Sequence, residues 1–449
     1  MYKIILAIRY LIRCRITYFA VLAVALCVWI VVIVMTVMTG LVGGYKLKNH
    51  KFVGDCVVGT KSLVGFAYYE DFIKMLEDTD YVEGVSPVIK SYALAGQPGT
   101  GQDIRLEMIG VDPARHSQAT GFAETLHYHV DDVSKVFEPR EDGGLSGCVI
   151  GIDRILERDS NGRYTAGPYP ADIEVAVSCF PLTSRGALVK ATTGLVNTKT
   201  FYYSDHSRTG LARVDSSVIY LPFEQAQLLC GMGGVPKRVN AIHIKFKPGV
   251  RLQEGCQDVS SLWRMFKQAK TDESQSYLLD AVTVQSWRVH RRMFIAAMEK
   301  EQAMLTVMFG FVGITTVFIV FVVFYMIVSH KRKDIGILKS VGVSNANIVQ
   351  LFSGFAFLIG VLGSSIGTVA GWLFLLKINR IETFLFERFG FQLWDRVIFF
   401  IGDIPNEVEF KVLAVIVLSA IGACLLGALV PSLQAASLRP AETLQVGQL

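Results

Sequence analysis

Few residues in this sequence are of types and spacings that do chemistry, and each group falls short of a working set. The run Gly54-Asp55-Cys56-Val57-Val58-Gly59-Thr60-Lys61-Ser62 comes nearest to a phosphate-binding loop, in which backbone N–H groups and a lysine cradle a nucleotide. Thr60 stands where the lysine should follow the second glycine directly, so ATP chemistry is not expected there. His127 and His129 form a His-x-His pair with no cysteine or carboxylate cluster at metal spacing, which reads as surface histidines and no metal site. No Ser-His-Asp set or carboxylate pair can be placed. Of the 8 cysteines, Cys14, Cys27 and Cys424 lie in or beside long apolar runs. Cys56, Cys148, Cys179, Cys230 and Cys256 lie elsewhere, at long irregular spacings that fit one or two bridges and leave the pairing open.

The strongest motif is electrostatic. His330 to Gly342 reads H-K-R-K-D-I-G-I-L-K-S-V-G and sits between two long apolar segments. Residues 302–329 carry no formal charge and exceed the roughly 20 residues a helix needs to cross a bilayer core. A second apolar segment begins at Ile348. Basic residues in a short loop between spans are held on the cytoplasmic side, so Lys331, Arg332, Lys333 and Lys339 place this connector in the cytoplasm. At about 100° per residue, Ile335, Ile337, Leu338 and Val341 share one arc, with Arg332, Lys333, Gly336, Lys339 and Ser340 opposite. The spacing predicts a short amphipathic helix with Gly336 on its polar face.

The elements that must hold this connector follow from composition and order. An apolar content of 51% and a positive mean hydropathy indicate an integral membrane protein that also carries a large polar portion. The net charge of +5 is modest and its basic excess lies largely beside spans, which argues against nucleic acid as a partner. Residues 1–15 set Lys3, Arg9 and Arg13 away from Ile4, Ile5, Ile8, Leu11 and Ile12, as in a cytoplasmic interfacial helix. Residues 16–42 are too long for the apolar region of a cleavable signal and form a retained first span with its N-terminus inside.

Residues 43–300 contain no span-length run and must lie outside, because the first span exits and the second, 302–329, returns. Short alternating runs between turn signals predict a mixed α/β domain. Ile104 to Ile109 after the turn Gln97-Pro98-Gly99-Thr100-Gly101 predicts a hairpin. Cys148 to Ile152 and Val218 to Leu221 read as strands followed by helices, Ala241 to Lys247 as a strand, and Glu157 to Pro170 as a solvated insertion. The connector, 330–347, leads to a third span, 348–376, whose Gly354, Gly360, Gly363, Gly367 and Gly371 mark a packed face. An outer loop, 377–411, a fourth span, 412–438, and a cytoplasmic tail, 439–449, complete the chain. The fold class is thus membrane α-helical with four transmembrane helices, plus a mixed α/β extracytoplasmic domain.

The connector followed by G-V-L-G-S-S-I-G-T-V-A-G resembles the FtsX-type permease domain of ABC transporters, from Phe294 to Leu449. R-L-E-M-I-G-V-D-P, C-V-I-G-I-D-R-I-L, S-S-V-I-Y-L-P-F-E-Q-A-Q and N-A-I-H-I-K-F-K-P-G resemble, in that order, the MacB-like periplasmic core domain of macrolide-exporter-like and lipoprotein-releasing permeases. S-W-R-V-H-R-R-M-F-I-A-A-M-E-K-E-Q-A-M, with its Glu299-Lys300 pair, and F-Q-L-W-D-R-V-I-F-F-I-G-D-I-P resemble the lipoprotein-releasing (LolC/LolE-type) permeases in particular. The chain departs from the family at Gln434 and the single Arg439, where more arginine is usual, and at Ser353, where an acid or amide is common.

The resemblance implies a non-catalytic permease subunit of the inner membrane with a periplasmic domain. It implies no cofactor in this chain, ATP being bound by a dimer of a partner ABC ATPase. Coupling to that ATPase would fall on Lys331, Arg332, Lys333, Asp334, Ile335, Gly336, Leu338, Lys339 and Gly342. Further implied partners are a second copy or a homologous permease, a lipoprotein substrate with a periplasmic carrier, and membrane lipid. Acyl chains would be held between the outer halves of spans one and two, where flexible, polarizable Met35, Met38, Met304 and Met308 suit chains of variable shape. Macrolide-exporter-like efflux and FtsX-like regulation of cell-wall hydrolases stay open as alternatives.

Overall fold

The computed structural model describes residues 15–99, 103–139, 146–156, 164, 173–188, 196–390 and 404–437. The interfacial helix expected over 1–15 lies outside these residues except for Arg15, as do most of the 157–170 insertion, most of the Trp394 to Pro405 loop and the tail.

Four helices among the described residues are long and apolar enough to cross a membrane: Arg15–Val53, Arg292–His330, Asn345–Phe389 and Phe410–Ser437. In a bilayer only hydrogen bonds within the segment can satisfy the backbone, so uncharged runs of this length become helices. Three of the helices outrun their uncharged stretches. The first continues past Val42 to Val53, the second begins at Arg292, and the third passes through Lys377 to Phe389. Lys, Arg and Glu are good helix formers, so charge alone does not end a helix. Glycines do: Gly54, with φ +76°, follows the first helix, and Gly390, with φ +63°, follows the third. The first part of the outer loop expected from Lys377 is therefore helical, as far as Phe389.

The chain divides into two units. The first comprises, among the described residues, 15–43, 297–390 and 404–437. Its core takes Ala20, Val24, Val28 and Val32 from the first helix, spaced four apart, and Ile348, Phe352, Phe355 and Ile359 from the third. Phe324 and Ile327 of the second helix and Cys424 and Ala428 of the fourth complete it. Glycines set the close approaches. A Cβ on Gly363 would stand 2.8 Å from Val24 Cβ, and one on Gly367 2.5 Å from the Ala25 carbonyl oxygen, both on the first helix. Gly360 lies against Ile421 and Cys424 of the fourth helix, and Gly427 of the fourth against Val317 of the second. The packed glycine face is therefore real over Gly360 to Gly371. Gly354 does not join it, having nothing within 4 Å of its would-be Cβ.

The second unit comprises the described residues of Gly44–Ala296. Its strands are β1 (Cys56–Gly59), β2 (Phe66–Ala67), β3 (Val82–Gly96), β4 (Ile104–Val111), β5 (Gly147–Gly151), β6 (Glu174–Cys179), β7 (Asn197–Ser207), β8 (Val218–Pro222), β9 (Arg238–Val239), β10 (Ala241–Phe246) and β11 (Thr283–Ser286). Nine form one sheet in the order β11-β1-β10-β3-β4-β8-β5-β7-β6, and β2 pairs with β9. The long β3 also pairs with β6, which closes β3-β4-β8-β5-β7-β6 into a ring. The expected hairpin is β3–β4, with Ala95 opposite Ile104 as its last pair. β5 and β8 each run into a helix, Ile152–Ile155 and Phe223–Leu229, as their sequences predict. The helix Leu252–Ala269 lays Trp263 and Phe266 on Phe72, with ring centroids 4.8 and 5.2 Å away.

The near phosphate-binding loop proves to be sheet. Cys56–Gly59 is strand β1, its residues laddered between β10 and β11, and Thr60 N–H donates to the Asn240 carbonyl. Such a ladder commits the amides a phosphate would need.

Candidate functional site

The connector folds as the helix Arg332–Ser340. Its start follows a break at Lys331, where Lys331 N–H still donates to the Ile327 carbonyl, and Lys331 Nζ lies 2.9 Å from Asp334 Oδ2. Its end is a Schellman motif. Gly342 N–H donates to Lys339 O at 3.0 Å and Val343 N–H to Leu338 O at 3.2 Å, with Gly342 at φ +94°. Gly342 is thus required by the backbone at the stop, where a Cβ would be strained. Ser344 then starts the third helix by accepting the Asn347 N–H on its carbonyl at 3.0 Å and on its hydroxyl at 3.4 Å.

The helix is rotated relative to the expected arcs. Ile335 and Gly336 are buried, while Ile337 is 52% and Val341 79% exposed. Lys339, expected on the outward polar face, turns inward and donates from Nζ to the Ala436 carbonyl at 2.6 Å, in the last turn of the fourth helix. The last four carbonyls of a helix have no partner within it and carry a partial negative charge, so a lysine there is favourable. That contact and buried Ile335 fix the phase of the connector. Arg332 and Ser340 are exposed, Asp334 and Leu338 half-buried, and Lys333 lies in the first turn. The residues proposed for coupling therefore split between two sides, and Gly336 faces the chain instead of solvent.

The first unit also holds a cleft of about 350 Å³ between its first, second and fourth helices. Val24, Val28, Val31 and Met35 line one wall; Thr306, Phe309, Gly310, Gly313 and Thr316 the second; Ile416, Ser419, Ala420 and Ala423 the third. Of the four methionines only Met35 lines it. Met38 is packed away, 7% exposed, and Met304 and Met308 are 62% and 54% exposed on the second helix. The signal that marks the cleft is small residues. Gly310 and Gly313 have nothing within 4 Å of a would-be Cβ, and Ala420 and Ala423 stand on the fourth helix.

In the second unit the His-x-His pair serves a buried carboxylate. Asp205 accepts from the backbone N–H groups of His127, Tyr128 and His129 at 3.0–3.2 Å and lies 3.0 Å from His129 Nδ1. The backbone amides of residues 127–129 and the His129 ring thus surround the Asp205 carboxyl, and no cluster of metal-binding groups occurs among the described residues.

These features can be set beside known proteins. Residues 306–440, which include the connector helix and its glycine stop, match the family described as FtsX-like permease C-terminal. This part of the chain is an FtsX-like permease domain. The resemblance drawn from the connector and the glycine-rich span is thereby confirmed. Among relatives, the lipoprotein-releasing system transmembrane protein LolC of Neisseria meningitidis serogroup B is 28% identical over 166 residues, 37% of this chain and 40% of that protein. LolC of Xylella fastidiosa (strain Temecula1) is 24% identical over 247 residues, 55% of each chain. The chain thus spans about half the length of these curated relatives. The periplasmic region of MacB from Actinobacillus actinomycetemcomitans aligns in structure with 12% identity over 56% of this chain and 97% of that one, at a TM-score of 0.30. On the connector helix, Ile337 and Val341 are the large apolar side chains that stay exposed among the described residues.

Proposed function

We propose that this chain is the permease subunit of an ABC transporter that couples ATP hydrolysis by a separate ATPase to extraction of lipoproteins from the inner membrane toward the outer membrane. The observation that carries the reading is the apolar ridge of Ile337 and Val341, one helical turn apart and exposed on a connector that is locked to the bundle from its other side. Large apolar side chains left exposed on a polar connector mark a contact surface. An ATPase dimer would dock there, and its closure on ATP would move the connector, its Schellman stop and the helices on either side. The chain works as a dimer with itself or a homologous permease. It performs no covalent step and needs no cofactor of its own; ATP stays on the partner. The FtsX-like domain and relatives named for lipoprotein release support this choice over small-molecule efflux or control of wall hydrolases.

The small-residue cleft is the proposed seat of an acyl chain. About 350 Å³ is within the range of ligand pockets, and its walls are apolar apart from the hydroxyls of Thr306, Thr316 and Ser419.

The test is purification of the full chain from native membranes in mild detergent. An ATPase and lipoproteins are expected to accompany it. Ile337→Glu with Val341→Glu should lower ATPase recovery at least tenfold, since burying one such side chain contributes about 1.5–3 kcal/mol. A photo-crosslinking residue at Ala420 should capture lipoprotein before ATP is added and release it afterwards. Undiminished ATPase recovery with the double variant would remove the docking surface, and adducts to lipid alone would remove the substrate assignment.

A further inference from the structure

Cys179 is the last residue of β6, and Cys230 follows the last residue of the helix Phe223–Leu229. Their sulfur atoms lie 3.7 Å apart, and the residues are 0% and 2% exposed. The backbones beside them are tied together. Leu182 N–H donates to the Cys230 carbonyl at 3.1 Å. The buried guanidinium of Arg238 donates to the carbonyls of Leu182, Gly231 and Val64, each at 2.8 Å. β6 is held on both flanks, Cys179 standing opposite Ala93 of β3 and Asn197 of β7. A disulfide is about 2.05 Å long, so closing the pair needs roughly 1.6 Å of approach, a distance that side-chain rotation can supply.

We propose that Cys179 and Cys230 are joined by a disulfide bond in the working protein. The proposal rests on the reading that the α/β domain lies outside the cytoplasm, where disulfides form and persist. The bond forms by exchange with an oxidising protein disulfide before the core closes over the sulfurs. One cysteine thiolate attacks a sulfur of the oxidant's disulfide and displaces the other as thiolate. The second cysteine, having lost its proton, then attacks the mixed disulfide and releases the oxidant as a dithiol. Two electrons and two protons leave the pair and reduce one disulfide of the oxidant.

The chemistry of the reduced pair agrees. The hydrogen bond from Cys230, with Ser91 Oγ 3.5 Å away, draws the Cys179 thiol down to about 7, while the same contact and burial push Cys230 up. Reduced, the core must hold a partial thiolate in an apolar setting. Oxidised, it holds an uncharged bridge.

The experiment acid-quenches membranes carrying the full chain, blocks free thiols with N-ethylmaleimide and digests without reductant for mass spectrometry. The expected product links the Cys179 peptide to the Cys230 peptide, with Cys148, buried in β5, carrying maleimide. Maleimide on both Cys179 and Cys230 overturns the proposal. A cysteine placed at exposed Asp272 reports the side of the membrane through an impermeant thiol reagent on intact spheroplasts. Reaction only after permeabilisation overturns both the outward reading and the bond in the working protein. Purified, reduced chain titrated with glutathione redox buffer then judges the pair alone. Closure at a ratio at least tenfold more reducing than that which modifies Cys148 supports the pair, and no such preference overturns it whatever the topology.

Discussion

Replacing Gly367 by alanine adds one methyl group where the third helix crosses the first, and the cost can be worked from the contacts. The new Cβ would stand 2.5 Å from the Ala25 carbonyl oxygen, 2.9 Å from Val28 Cβ and 3.1 Å from the Trp29 backbone nitrogen. Ordinary contact begins at 3.4 Å, so the helices must part by about 0.9 Å at this point. A gap of that size forfeits a quarter to a half of each atom pair's attraction, itself about 0.15 kcal/mol. Some 40 pairs along the crossing would then lose about 1.5–3 kcal/mol. Alanine's better helix propensity returns about 1 kcal/mol, leaving a net loss of roughly 0.5–2 kcal/mol. Gly354→Ala on the same helix makes the same propensity gain and meets nothing within 4 Å, so it should be neutral or stabilising by up to about 1 kcal/mol. Unfolding of the full chain in mixed micelles with rising sodium dodecyl sulfate, followed by circular dichroism, measures both. Equal shifts for the two variants would refute the packing argument.

Two further outcomes are expected. Lys339→Met removes the cation on the Ala436 carbonyl and should weaken the last turn of the fourth helix by about 0.5–1 kcal/mol, speeding hydrogen exchange over Gln434 to Ser437 a few-fold, with Lys339→Arg close to the parent; unchanged exchange would reject the capping role. Burial pushes His116 and His290 down to about 3 and His206 to about 4, whereas the unfolded chain protonates near 6.5, so the unfolded state binds more protons and stability falls as pH drops from 6.5 toward 4. Each group contributes about 1.4 kcal/mol per pH unit, several kcal/mol together by pH 5.5, read as faster exchange across β3 and β10 after correction for intrinsic rates. His116→Gln should reduce that slope by about one group's share, and an unaltered slope would exclude His116 as a source.

What could be read from the sequence followed from local physics. The apolar runs, the β3–β4 hairpin and the strand-helix pairs at Cys148 and Val218 depend on hydrophobic period and turn residues that a short window contains. The helix ends are not marked by charge: the helices run on through charged residues, and Gly54 and Gly390 stop the first and third. That Cys179 and Cys230 stand side by side is not legible in the sequence, because the β3–β6 pairing and the Arg238 hydrogen bonds that bring them together join distant parts of the chain. Methionine chemistry does not locate this cleft, which opens where side chains are small, at Gly310, Gly313, Ala420 and Ala423.

The connector shows why a helical projection gives amphipathicity without orientation. The projection grouped Ile335, Ile337, Leu338 and Val341, and four apolar residues on one arc would ordinarily point inward. The inward seam instead runs through Ile335, Lys339 and Gly336, roughly a third of a turn away at 100° per residue. The displacement has a cause: the fourth helix ends beside the connector with carbonyls that need a donor, and Lys339 supplies it. Turning Lys339 in necessarily turns Ile337 and Val341 out. A chain that only had to fold could place polar residues at those two positions at little cost. Keeping isoleucine and valine there is consistent with a surface covered by another protein, which is why the double glutamate variant tests the proposed coupling more directly than any change at Gly336.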